Sequence, residues 1–145
     1  MPAWVDQATQ EYRRRMPPEI KLELQEVKAE ARANDGSASQ CLLREAQRIR
    51  GALPEGAHCV ILDERGADLS SVQLSRRLAH WRQQARPIAI IIGGPDGLDA
   101  SIKTMAHETV RLSSLTLPHA LVRVLLAEQL FRACSILSNH PYHRA

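Results

Sequence analysis

Two short runs, residues 58–62 (HCVIL) and 87–92 (PIAIII), are apolar without alternation, and they constrain the fold more than anything else in the chain. A strand with one wet face alternates polar and apolar residues, whereas a strand covered on both faces has no reason to. Helical spacing flanks and separates the two runs: Leu42, Leu43, Ala46 and Ile49 before the first, and Leu74, Leu78 and Trp81 between them. Strands alternating with helices, each strand buried twice, predict an α/β fold with a mostly parallel sheet and helices on both faces.

The rest of the chain reads around that centre. Trp4, Val5, Ala8 and Tyr12 predict a helix near residues 2–15, ended by Pro17-Pro18. Ile20, Leu22 and Leu24 alternate with Lys21, Glu23 and Gln25, which predicts a strand with one wet face. Residues 31–40 are small and polar and predict a flexible loop, and the following helix closes near Gly51. Asp63-Glu64-Arg65-Gly66 predicts a turn, and Ser70 or Ser71 can cap the helix after it. A short helix is expected from about 99 to 107, then a weak strand around 110–112. The last helix should begin at Pro118 and run to about Leu137. Its apolar residues, Leu121, Val122, Val124, Leu125, Leu126, Leu130, Phe131, Ile136 and Leu137, cover more than one face. Either a partner subunit covers the surplus or the helix is central within one chain. No internal repeat appears, and 145 residues suit one domain.

Composition narrows the function classes. The chain is 44% hydrophobic and 24% charged, with formal net charge +3, ordinary for a globular protein with a mildly basic field. No apolar run approaches the ~18–20 residues needed to cross a bilayer. The first residues lack both the basic and the apolar region of a secretory signal. Three widely spaced cysteines without a C-x-x-C pair suit free thiols in a reducing compartment, so a cytoplasmic location is expected. Aromatic residues are only 3%, so any nucleic acid would be held by charge and shape rather than by stacked rings.

Three segments concentrate chemistry. Gly93-Gly94-Pro95-Asp96-Gly97 follows an apolar strand, where α/β sheets place ligands, although the same residues would also serve a tight connection. It is neither G-x-G-x-x-G nor a P-loop, which argues against an oxidoreductase with a dinucleotide. Leu112, Ser113, Ser114, Leu115, Thr116 and Leu117 lead into the last helix; their amides could meet a purine edge, or their hydroxyls could merely satisfy local backbone. Asn139-His140-Pro141-Tyr142-His143-Arg144 gathers proton-transfer and phosphate-binding groups, in a position where a frayed end is the ordinary outcome. Pro141 spoils a helical pairing of His140 with His143, so no metal site is expected. Cys134 sits among apolar neighbours as a core residue. Arg123 can snorkel or pair with Glu128, and Arg132 is open between that role and a functional one.

Taken together, Ile90-Ile91-Ile92-Gly93-Gly94-Pro95-Asp96-Gly97-Leu98, the stretch from Leu112 to Arg123 with its LTLPH centre, and the NHPYHR tail resemble one family in order and spacing. It is the bacterial SPOUT-superfamily group that methylates N3 of a pseudouridine in 23S rRNA of the assembled ribosome. The resemblance implies a Rossmann-like sheet with a C-terminal trefoil knot, a homodimer, and S-adenosylmethionine as methyl donor. By position it implies cofactor contacts at Leu62, Gly93 and Leu112 to Leu117, and catalytic roles for Arg132, Tyr142 and His143. Family members begin with an apolar strand and a Gly-containing turn ahead of the first helix; here Met1-Pro2-Ala3-Trp4 enters the helix directly, and the native chain is expected to start upstream. A non-enzymatic ribosome-binding factor is the alternative that would use charge and dimer surface alone.

Overall fold

The computed structural model describes residues 1–27, 38–94 and 96–144. They fall into two compact units built from interleaved segments. One comprises residues 1–23, 68–85 and 112–145, the other residues 24–67 and 86–111.

The second unit holds the sheet. Strands β1 (His58–Asp68), β2 (Ile88–Ile92) and β3 (Glu108–Arg111) lie in the order β2-β1-β3. β1 and β2 are parallel, as the expected parallel sheet requires, with His58 opposite Ile88 and Leu62 opposite Ile92, so the two apolar runs are direct neighbours. Helices α2 (Ala38–Ala52) and α4 (Ala100–Met105) belong to the same unit. Ala46 of α2, Cys59 and Ile61 of β1, Ile91 of β2, and Leu98 and Ile102 form one buried cluster. Val60, pointing to the opposite face by strand alternation, is as buried as Ile61, which accounts for the unbroken apolar run. His107 ties the start of β3 to β1: its N–H donates to the Cys59 carbonyl at 2.8 Å, and its Nδ1 accepts the Cys59 N–H at 3.0 Å.

The first unit is helical. α1 (Ala3–Arg15) and α3 (Ser71–Gln83) both pack on α5 (His119–Leu137). Val5 and Thr9 are the buried residues of α1, and Leu78 and Trp81 are among those of α3. Buried Thr9 spends its hydroxyl on the Val5 and Asp6 carbonyls of its own helix, so no polar group is orphaned there. α5 buries Arg123, Leu126, Ala127, Leu130, Ala133, Cys134 and Ser135. Two helical neighbours within the chain pack on it, yet of its nine large apolar residues only Leu126 and Leu130 are buried, and Leu121, Leu125 and Leu137 stay exposed.

Several expectations need correction. Residues 20–25 alternate in exposure as a strand would, yet form none: among the described residues they have no ladder partner, and without one an extended segment is not a strand. The turn expected at residues 63–66 is absent because β1 continues through Asp68. Gly66 serves close approach instead: a Cβ there would lie 2.6 Å from the Val110 carbonyl carbon. The loop expected over 31–40 lies outside the described residues up to 37, and residues 38–40 are the first turn of α2. Pro118 is the N-cap of α5 rather than its first helical residue. Arg123 is 9% exposed and so does not snorkel to solvent, and Glu128 pairs with Arg132. Ser70 caps α3 in a full capping box with Gln73, settling the choice between the two serines.

Candidate active site

Glu128, Arg132 and Ser135 stand at i, i+4 and i+7 on α5 and so share one face. What brings the tail back to that face is the helix end. Asn139 adopts φ 58°, in the left-handed region that asparagine tolerates better than most residues. The His140 N–H then donates to the Ser135 carbonyl at 2.8 Å and the Asn139 N–H to that of Ile136 at 3.3 Å. These two bonds make a Schellman end, which reverses the chain. Residues Pro141–Arg144 form a single 3₁₀ turn, so the expected frayed end is instead ordered against α5.

The reversal builds a compact cluster. The Tyr142 ring meets Phe131 edge-on at 4.7 Å, and Phe131 lies 6.1 Å from Tyr12 of α1. The Tyr142 hydroxyl donates to that of Tyr12 at 3.5 Å. The Arg132 guanidinium carbon sits 5.0 Å from the centre of the Tyr142 ring, within cation–π range. Arg132 Nε donates to both Glu128 oxygens, at 2.9 and 3.4 Å. Among the described residues its terminal Nη groups donate to nothing, so most of the guanidinium fork remains available. His143 Nδ1 lies 3.5 Å from Ser135 Oγ. The structure thus brings together Arg132, Tyr142 and His143, the three residues expected to be catalytic.

Electrostatics separates their roles. The Glu128 hydrogen bond, opposed in part by burial, raises the Arg132 pKa, so the guanidinium stays charged. Burial, the Tyr12 hydroxyl and the Glu128 charge push Tyr142 from 10.0 to about 12. At neutral pH its phenolate fraction is about one in 10⁵, far too small for a base. Tyr142 is a neutral donor and a packing surface. The sign for stability follows: between about pH 10 and 12 the folded chain keeps a proton that the unfolded chain releases, so stability falls as pH rises through that window. Urea unfolding at about pH 9 and about pH 11 should show this loss, and Tyr142→Phe should make it smaller; an unchanged slope in Tyr142→Phe would contradict the assignment.

Leu62 and Gly93 come together in the sheet unit, at the carboxyl end of the parallel pair where ligands of α/β sheets bind. The glycine turn folds back on itself: Gly97, at φ 79°, donates its N–H to the Gly94 carbonyl at 3.0 Å. A Cβ on Gly93 would lie 3.0 Å from the Gly97 carbonyl carbon and 3.1 Å from Leu98 Cγ. A side chain on Gly93 would therefore make Gly97 or Leu98 give by a few tenths of an ångström. Residues 112–117 belong to the helical unit, between β3 and α5. Leu115 is 76% exposed, and its N–H is held by Ser113 Oγ at 2.9 Å. Among the described residues, the N–H groups of Ser113, Ser114, Thr116 and Leu117 donate to no backbone carbonyl. Unspent amides beside leucine side chains fit a purine, which needs donors at its edge and apolar contact on its faces.

Tyr12, Phe131, Ser135 and Asn139 were missed as site residues. The i, i+4 spacing of Glu128 and Arg132 was a usable signal, whereas nothing local predicts that Tyr12 meets Tyr142. Burial pushes the Cys59 and Cys134 thiols up, which suits inert core sulfur rather than a nucleophile. Among the described residues no cluster could hold a metal ion, and no helix is long and apolar enough to cross a membrane.

Comparison with known proteins gives a consistent result. A family profile described as "Predicted SPOUT methyltransferase" matches residues 1–143. The chain is 53% identical over 144 residues to the ribosomal RNA large subunit methyltransferase H of Ralstonia pickettii, covering 99% of this chain and 92% of that protein. It is 52% identical over 145 residues to proteins of the same name from Burkholderia lata and Burkholderia vietnamiensis, covering all of this chain and 93% of each.

Proposed function

The chain belongs to the SPOUT methyltransferase family, and on that premise we propose that it methylates N3 of a pseudouridine in 23S rRNA of the assembled ribosome, with S-adenosylmethionine as donor. The observation that carries this reading is the cluster on α5, where a charged guanidinium with unspent N–H groups stands beside a neutral tyrosine and a histidine. Loss of the N3 proton leaves a negative charge on the base. Arg132 stabilises that charge and contacts RNA, His143 receives the proton, and Tyr142 packs against Arg132 and seats the tail.

When bound, S-adenosylmethionine supplies an electrophilic methyl group on a cationic sulfur. Leu112, Ser113, Ser114, Leu115, Thr116 and Leu117 are the residues that would hold its adenosine, and Leu62 and Gly93 are the further residues that would contact it. In this reading the C-terminal segment is threaded as a trefoil knot. The protein works as a homodimer, for which the exposed Leu121 and Leu125 on α5 offer apolar surface. A chain with one Phe, two Tyr and two Trp has little base-stacking surface of its own, so recognition is shared with the folded ribosome.

The test pairs calorimetry with a transfer assay. Binding of S-adenosylmethionine and transfer of one labelled methyl to assembled ribosomes from cells lacking the protein are expected, located by mass spectrometry of rRNA fragments at a single pseudouridine. Free 23S rRNA should be methylated at least about tenfold more slowly. Failure to bind the donor would leave a ribosome-binding factor as the better account, and efficient methylation of protein-free rRNA would refute recognition of the assembled particle.

A further inference from the structure

We propose that Ser135 is a positioning residue that fixes His143 as the Nδ1–H tautomer, so that His143 meets the target base through an unprotonated Nε2. The inference rests on the reading of His143 as proton acceptor and assigns the atom that accepts. A serine hydroxyl has one proton to give. Ser135 Oγ donates to the Arg132 carbonyl at 2.7 Å, the i−3 position of its own helix. Toward His143 Nδ1, at 3.5 Å, the same oxygen has only lone pairs to offer. A favourable contact therefore requires the proton on Nδ1, and in a neutral imidazole that leaves the lone pair on Nε2. The reverse tautomer would set two lone pairs against each other, unless Ser135 released the Arg132 carbonyl.

The position suits the task. Ser135 is 2% exposed, so water does not compete for its hydroxyl. Its carbonyl also accepts the His140 N–H at 2.8 Å, so one residue holds the tail by its backbone and orients the ring by its side chain. His140 cannot substitute as the oriented base through Nδ1, because that atom accepts the Tyr142 N–H at 3.2 Å. The proton balance is complete. The N3–H bond of the base breaks and its proton passes to His143 Nε2. The N3 electron pair takes the methyl group, and the S–CH₃ bonding pair stays on sulfur as a thioether. The resulting imidazolium carries both N–H groups, keeps Nδ1–H on Ser135, and returns the Nε2 proton to solvent.

Long-range ¹⁵N–¹H correlation spectra of the full-length protein, with His143 assigned by loss of its signals in His143→Ala, report the tautomer directly. The expected result is Nδ1–H in wild type, a shift toward Nε2–H in Ser135→Ala, and recovery in Ser135→Thr, which keeps the hydroxyl. In parallel, Ser135→Ala should lower kcat at least about tenfold with KM for donor and ribosome nearly unchanged, and Ser135→Thr should regain most of it. An Nε2–H signal in wild type overturns the proposal whether or not any variant folds, as does an unchanged tautomer in folded Ser135→Ala. If the tautomer follows Ser135 while His143→Ala turns over at the wild-type rate, the hold of Ser135 on the ring stands and the catalytic reading of His143 fails.

Discussion

Arg132→Ala and His143→Ala should each lower methyl transfer by about two to three orders of magnitude at saturating substrate, with affinity for S-adenosylmethionine nearly unchanged. Both residues stand on the tail cluster rather than on the glycine turn or residues 112–117, so a lowered kcat with unchanged donor affinity is the signature of their role. The two variants should differ in stability. Arg132→Ala removes the Nε–H that Glu128 shares between its two oxygens and leaves that carboxylate with Gln129 as its donor, which costs about 1–3 kcal/mol. His143→Ala removes a long contact to Ser135 and should leave unfolding near wild type. Single-turnover rates, donor calorimetry and urea unfolding on the same preparations separate these effects. Turnover within a few-fold of wild type in both variants would remove Arg132 and His143 from the mechanism.

Gly66→Ala should destabilise the protein by about 3 kcal/mol, lowering Tm by on the order of 10 °C. The added carbon would come within 2.6–2.8 Å of the backbone of Thr109 and Val110. Those atoms are strand backbone, not the end of a flexible side chain, so β1 and β3 must separate to admit it. By contrast, Gly51→Ala meets open space within a helix and should be neutral or mildly stabilising. Thermal unfolding of both variants is the measurement, and equal melting temperatures would contradict the close approach of the two strands.

The sequence told most where local chemistry and burial agree. The unbroken apolar run of β1 is legible because burial on both faces removes alternation, whereas in β2 only Ile91 is fully buried and its neighbours are half-covered. The start of α3 is legible because Ser70 and Gln73 satisfy each other's backbone within one turn. Where the deciding contact is distant, the reading failed. Glycine after Asp63-Glu64-Arg65 has the composition of a turn, and only the proximity of Val110 shows that it is a bare patch of strand. Residues 20–25 have a strand's alternation, but strandhood also needs a neighbour's hydrogen bonds. The NHPYHR tail could be singled out for its chemistry, whereas its order depends on the conformation of Asn139 and on a tyrosine from the opposite end of the sequence. The resemblance pointed to Arg132, Tyr142 and His143 as a group, and helix spacing offered Glu128 as a partner for Arg132; Tyr12 and Ser135, which hold the other two, emerge only in three dimensions.

The interleaving of segments has a kinetic consequence. α1 is made about a hundred residues before α5 begins, yet they pack on each other. At ribosomal elongation rates the nascent α1 must wait on the order of ten seconds for that partner. During that interval Val5 and Met16, both buried in the finished protein, stay open to water and to other chains. Contacts this far apart in sequence also slow the search for the native arrangement, so folding of the helical unit should be gated by the later arrival of α5.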